Sequence, residues 1–253
     1  MASTNKYYLA HSTDENIRFN ASSGGFIKSF LCYLLDSHQA DYAIVTRTGG
    51  PDNPLTPETI VTNRKEDIIS TRTNSVYCVN DPFKDIKIWP GKRYAFVGLP
   101  CQIRHARLYP NMACVISLIC NHAPSAEFTR EILRKLGVEE SQVSQIEYRG
   151  NGWPGRFTAY LKDGGTKYIA GYWNERYKPD SCRNCKQSGR DADIIAGDPW
   201  RISKDERGET LIVCRSPRAV NMVEKAGDYV SLQPVTYADL LKSQGKHFKD
   251  KPL

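Results

Sequence analysis

Short apolar runs alternating with helical repeats constrain this chain more than any other feature. Tyr42–Thr46, Tyr94–Leu99 and Cys114–Ile119 are rich in β-branched and aromatic residues and read as buried strands; Gly49, Gly50 and Pro51 end the first in a turn. From Gly25, Phe26, Ile27, Phe30, Leu31, Leu34 and Leu35 recur at helical spacing, which predicts a helix of about 14 residues with Ser22 and Ser23 as N-caps. Gln102–Tyr109 reads as a short helix and Ser125–Leu136, closed by Gly137, as a longer one. Strands that alternate with helices favour a parallel sheet.

The second half has another texture. Gln145–Tyr148, Arg156–Lys162 and Thr166–Ala170 read as strands, the last two joined by Asp163-Gly164-Gly165 into a hairpin. An apolar run Ile194–Ala196, a strand Leu211–Arg215 and a helix capped by Ser216 with Pro217 in its first turn follow. The expected fold is mixed α/β: a largely parallel sheet with flanking helices plus added antiparallel strands, in a single domain 1–253. Its α/β part spans 18–140, and the hairpin, a CxxC loop and C-terminal helices span 141–253.

Composition sets the class. The chain has 253 residues, 40% of them hydrophobic and 25% charged, enough for a core without disulfides and unlike a disordered or fibrous chain. The longest apolar stretch, Ala113–Cys120 with Ser117 inside it, is far too short for a membrane span. Met1–Asn20 lacks a basic start, an apolar stretch and a small-residue cleavage site, so a cytoplasmic location is expected. Lys and Arg exceed Asp and Glu by 35 to 28, which suits an anionic partner. These cations are scattered; only Lys242, Lys246, Lys249 and Lys251 concentrate, and no dedicated nucleic-acid binder is expected.

Eight cysteines in a chain without a secretion signal read as thiols or metal ligands. Cys32, Cys78, Cys114 and Cys214 lie in apolar surroundings and read as core thiols. The other four sit where the chain turns. Cys101 follows Gly98-Leu99-Pro100 and Cys120 ends Ile119-Cys120-Asn121, both at carboxyl ends of predicted strands, where open α/β sheets place their ligands. Cys182-Arg183-Asn184-Cys185 lets two sulfurs point at one metal, so four thiolates are able to converge, with Arg104, Arg183, Lys186 and Arg190 near in sequence to offset their charge. Spacing alone leaves an iron–sulfur cluster, structural zinc and no metal all open.

Hydrolytic motifs are missing: there is no Gly-x-Ser-x-Gly, Walker loop or zinc-protease helix. The histidines His11, His38, His105, His122 and His247 show no close pairing, and only His122, two residues past Cys120, stands near a candidate site. Asn20-Ala21-Ser22-Ser23-Gly24-Gly25 runs into the first long helix, whose free amides and dipole suit an anion such as a diphosphate. Arg72–Tyr77 and Gly197-Asp198-Pro199-Trp200 add polar and aromatic groups at loop positions.

Taken in order, Ala21-Ser22-Ser23-Gly24-Gly25, Gly98-Leu99-Pro100-Cys101-Gln102, Ser117-Leu118-Ile119-Cys120, Tyr148-Arg149-Gly150 with Trp153-Pro154-Gly155, Cys182-Arg183-Asn184-Cys185 and Ala192–Asp198 form a set. The set resembles the coenzyme F420-reducing hydrogenase and dehydrogenase beta-subunit family, which includes 7-hydroxymethyl chlorophyll a reductase, over nearly the whole chain from about residue 18. The resemblance implies an FAD beside a [4Fe-4S] cluster. On it, Cys101, Cys120, Cys182 and Cys185 match the cluster ligands. Ser22, Ser23, Gly24 and Gly25 would hold FAD, with Asn74, Ser75, Tyr77, Asp198 and Trp200 as further contacts. No catalytic side chain is expected, since the flavin carries the chemistry. No CxxCxxC run precedes residue 20, so a one-cluster version is expected, trading electrons with an external ferredoxin or iron–sulfur subunit and hydride with a small molecule such as F420. Two alternatives stand beside this: a ferredoxin-dependent reductase of a biosynthetic intermediate, and a non-enzymatic zinc-stabilised module that binds nucleic acid.

Overall fold

In the computed structural model, which describes residues 5–84 and 86–251, the chain begins with β1 (Lys6–Ser12), α1 (Glu15–Asn20), α2 (Phe26–Asp36), β2 (Tyr42–Arg47), β3 (Glu58–Thr62) and α3 (Lys65–Ile69). There follow β4 (Tyr94–Gly98), α4 (Pro100–Ala106), β5 (Met112–Leu118), α5 (Ala126–Leu136), β6 (Val143–Glu147), β7 (Arg156–Leu161) and β8 (Thr166–Ala170). The last elements are α6 (Asp180–Arg183), β9 (Ile194–Gly197), β10 (Thr210–Cys214), α7 (Pro217–Glu224), β11 (Val230–Val235) and α8 (Tyr237–Asp250). No helix among the described residues is long and apolar enough to cross a membrane.

Eight strands form the main sheet in the order β11-β1-β10-β9-β5-β4-β2-β3, and the other three form a small sheet β6-β7-β8. The fold is mixed α/β, as expected. Its centre, β9-β5-β4-β2, is parallel throughout, and antiparallel strands flank it on both sides. Register within the centre is tight: Gly98 faces Ser117, and Leu118 faces Ala196. Residues that follow β4, β5 and β9 therefore emerge together at one sheet edge.

Alternating side chains divide the core between the two faces of the sheet. One face buries Phe26, Phe30, Leu31 and Leu34 of α2 and Ala219, Val220 and Val223 of α7. Each large side chain there is worth about 2 kcal/mol of burial. The other face buries Ile103 and Ala106 of α4 with Leu240 and Phe248 of α8. α5 packs on the small sheet through Phe128, Ile132 and Leu133. Cys32, Cys78, Cys114 and Cys214 are all buried, as their apolar neighbours predict.

Three local expectations change. Ser22 and Ser23 do not cap α2: Gly24 and Gly25 both take left-handed backbone, at φ 72° and 71°, and Gly25 is the N-cap with no side-chain bond. A Cβ on Gly24 would lie 2.6 Å from the Gly208 carbonyl oxygen, so this tight turn carries the serines away from the helix start. α2 is consequently 11 residues long. α4 begins at Pro100 rather than Gln102, because Pro favours the first turn and the Gln102 Oε1 accepts the Leu99 N–H at 2.7 Å. Antiparallel strands also enter from the first half, as β1 and β3, where the sequence suggested none.

Candidate functional site

Two adjoining cavities open at the carboxyl ends of the parallel strands. The larger, about 570 Å³, runs from the start of α2 past β4, β5 and β9 to the small sheet. Ser22, Ser23, Gly25, Asn74, Ser75, Tyr77, Asp198 and Trp200 line it. Gly24 serves the turn instead, its carbonyl accepting the Ser12 N–H at 2.7 Å.

Most of the polar atoms among these residues are already engaged. The Ser22 Oγ accepts the Ser75 N–H at 2.8 Å, and Ser23 donates to the Glu209 carbonyl at 2.6 Å. Asn74 is buried and its Nδ2 reaches the Asn20 carbonyl, Glu147 Oε1 and the Arg149 carbonyl at 2.7–2.9 Å, while its Oδ1 has no protein partner. Asp198 grips Arg149 in a bidentate pair at 2.8 and 3.0 Å and also accepts Trp153 Nε1 at 3.1 Å. Burial works against the Arg149 charge, but the Asp198 carboxylate overcomes it and holds the pKa above the ordinary value. Asp198 is thus a positioning residue for Arg149, which also lines the cavity. Flat surfaces complete the wall. Tyr77 meets Tyr148 and Trp173 edge-on, and Trp200 packs at a tilt on Trp153 with centroids 4.8 Å apart.

The smaller cavity, about 280 Å³, is lined by Cys101, Cys120, Cys182 and Cys185 together. Cys101 sits in the first turn of α4, Cys120 just past β5, and Cys182 in the short turn of helix α6. Burial, then Cys185, raises the Cys101 pKa, and burial pushes Cys120 up to about 12. Among the described residues no three Cys, His, Asp or Glu side chains already stand in one ligand shell, so the thiols share a cavity without being drawn to a point. Four soft sulfur donors on one cavity fit an iron–sulfur cluster by ligand chemistry.

The cation beside the thiols is not one of those expected from the sequence. Lys251, just beyond α8, lines the cysteine cavity and donates to the Cys120 carbonyl at 3.1 Å. Arg183 is turned to Asp180 at 3.0 Å, and Arg104, Lys186 and Arg190 do not line the cavity.

Leu99, Gln102, Cys120, Asn121, His122 and Ala123 line both cavities. His122 is buried with both ring nitrogens unpartnered, packs on Trp173 with centroids 4.8 Å apart, and has its pKa lowered by burial. Sequence reasoning missed Lys28, Arg156 and Gln244 in the larger cavity and gave Arg149 no role. For Lys28 a signal existed: it stands inside the apolar run of α2, where a charge needs a partner.

The geometry can be set beside known proteins. Family models for the N-terminal and C-terminal parts of the coenzyme F420 hydrogenase/dehydrogenase beta subunit match residues 7–85 and 91–237 respectively. The coenzyme F420-dependent sulfite reductase of Methanocaldococcus jannaschii is 27% identical over 168 aligned residues, which cover 57% of this chain and 26% of that protein. This chain therefore spans well under two thirds of that curated relative's length. The solved F420-reducing [NiFe] hydrogenase complex from Methanosarcina barkeri, a xenon derivative, contains a chain of similar fold. Its TM-score is 0.73 and its identity 21%, covering 97% of this chain and 89% of the other.

Proposed function

The chain belongs to the coenzyme F420 hydrogenase/dehydrogenase beta-subunit family, and from that premise we propose an iron–sulfur flavoprotein oxidoreductase. FAD occupies the larger cavity, and Cys101, Cys120, Cys182 and Cys185 hold a [4Fe-4S] cluster in the smaller. When bound, FAD supplies hydride exchange with an organic substrate and single-electron exchange with a cluster. The names of the two relatives favour F420 as that substrate, and the neighbour's place in a multisubunit complex favours an external redox protein, a ferredoxin or an iron–sulfur subunit on this reading, as the one-electron partner.

One observation carries the reading: the cavity of about 570 Å³ and the four-thiol cavity share the wall at Cys120–Ala123. The chain's own residues fit the task. The buried Asn74 Oδ1 and both His122 ring nitrogens lack a protein partner on residues that line the larger cavity, and Tyr77, Trp173 and Trp200 supply flat apolar faces. Arg149, fixed by Asp198, stands at the larger cavity and Lys251, fixed on the Cys120 carbonyl, at the smaller.

The test is anaerobic purification or reconstitution, followed by absorption spectroscopy with iron, sulfide, zinc and flavin assays. About four irons and one FAD per chain are expected. Serine at Cys101, Cys120, Cys182 or Cys185 should remove the cluster absorption, whereas Cys32→Ser should leave it. Zinc without flavin, or an unchanged spectrum in all four ligand variants, overturns the proposal.

A further inference from the structure

Lys28 is an unusual residue for its position. It lies in the first turn of α2, where the helix dipole disfavours a cation, and no acidic residue shares that turn. It is only 7% exposed, and among the described residues no carboxylate pairs with it directly. Its Nζ donates to the Ile69 and Ser70 carbonyls at 3.2 and 2.7 Å, which uses two of its three N–H groups. Arg156, on the same cavity, has a buried Nε without a partner and lays its guanidinium over the Tyr168 ring at 4.1 Å.

Both cations lie near one carboxylate, Glu147, which stands opposite Thr158 across β6 and β7, two residues from Arg156, and whose charge is felt by Lys28. Glu147 is 2% exposed and satisfied by neutral donors: Asn74 at 2.7 Å on Oε1 and the Tyr160 hydroxyl at 2.9 Å on Oε2. Two cations against one carboxylate leave a positive surplus, since Asp198 is committed to Arg149. Beside this surplus, α2 starts without a side-chain cap, and Gly25, Phe26, Ile27 and Lys28 line the cavity there. A buried cation such as Lys28 without a counter-charge is unfavourable, and an uncapped helix start adds to that. A dianion would relieve both, whereas a single negative charge would leave one cation unmet.

We propose that Lys28 and Arg156, with the uncapped start of α2, form an anion site in the larger cavity that takes a diphosphate, the one carried by the bound dinucleotide. This rests on the flavin reading above for the identity of the dinucleotide, but not for the anion site itself. Burial pushes the Lys28 pKa down to about 7 while Glu147 and Cys32 oppose the fall, which agrees with a cation short of a counter-charge.

The experiment titrates the full chain, prepared free of flavin, with inorganic pyrophosphate, FAD and riboflavin, which lacks phosphate. Lys28→Met and Arg156→Gln should each weaken pyrophosphate and FAD by about tenfold or more and leave riboflavin unchanged, and Lys28→Arg should recover part of the loss. If Lys28 merely ties α2 to the end of α3, Lys28→Met weakens riboflavin as much as FAD, and the proposal fails. Should Lys28→Met not fold, the Arg156→Gln titration decides by the same criterion. Wild-type protein that binds pyrophosphate but neither flavin keeps the anion site and removes the flavin reading. Wild-type protein that binds FAD, with pyrophosphate and FAD affinity untouched by both variants, does the reverse.

Discussion

In the larger cavity the polar wall is tied to the protein before any ligand arrives: Asn74 spans three acceptors, Ser22 joins two loops and Asp198 clamps Arg149. In the smaller cavity, four free thiols from three separate stretches face common space, outside any shared ligand shell. The first site is preorganised; on the proposed reading the second would gain its order from the cluster it holds. The two halves should therefore respond oppositely to substitution.

The largest effect on the protein without cofactors is expected at Asp198. Asp198→Asn leaves Arg149 buried without its counter-ion and should lower unfolding free energy by about 3 kcal/mol, read from the urea midpoint. Iron uptake by the cysteine cavity should survive under conditions where the variant is folded. A variant as stable as wild type would mean that the wall of the larger cavity is not held by this pair.

A smaller effect follows pH and concerns α8, which leads to Lys251. His247 is buried with both ring nitrogens unpartnered and packs edge-on against Phe248 at 4.9 Å. Burial, then Lys251, holds its pKa down to about 4. The unfolded chain takes up this proton first, near pH 6.5, so stability is complete above that pH. It falls as pH drops from about 6.5 to about 4 and levels off below. His247→Leu should flatten that part of the curve in chemical denaturation. An unchanged slope would show that α8 does not bury a neutral imidazole, and would loosen the link between α8 and the smaller cavity.

How much of this is legible in the sequence depends on whether the signal is local. Cys101 and Cys120 can be placed because apolar runs end just before them, and strand ends in a parallel sheet are where ligands gather. Strand β1, Lys6–Ser12, is hidden because only its partners β10 and β11, some 200 residues away, make it a strand. β11 contains Pro234, normally a breaker, which an edge strand tolerates. The serines of the Ser-Ser-Gly-Gly start read wrongly as caps because their partners, Ser75 and Glu209, are distant in the chain. Lys251 reads as part of a solvated basic tail for the same reason: only folding brings it to Cys120.

The sharpest contrast comes from the smallest expected change. Cys101 is the most exposed of the four thiols, and its side chain is in no disulfide or ion pair, so replacing its sulfur with oxygen removes little from the folded state. Cys101→Ser, free of metal, should stay within about 0.5 kcal/mol of wild type in urea titration. Cys114→Ser should behave in the opposite way. That residue is wholly buried on the α2 and α7 face of the sheet, so a hydroxyl there costs about 1–2 kcal/mol, yet iron content should be kept. In iron-loaded protein Cys101→Ser should then become the damaging one, because it forfeits the stabilisation that a bound cluster gives the native state. Stability lost by Cys101→Ser before metal is added would place that thiol among the groups that hold the fold, and the distinction between a preorganised cavity and a ligand-ordered one would fall.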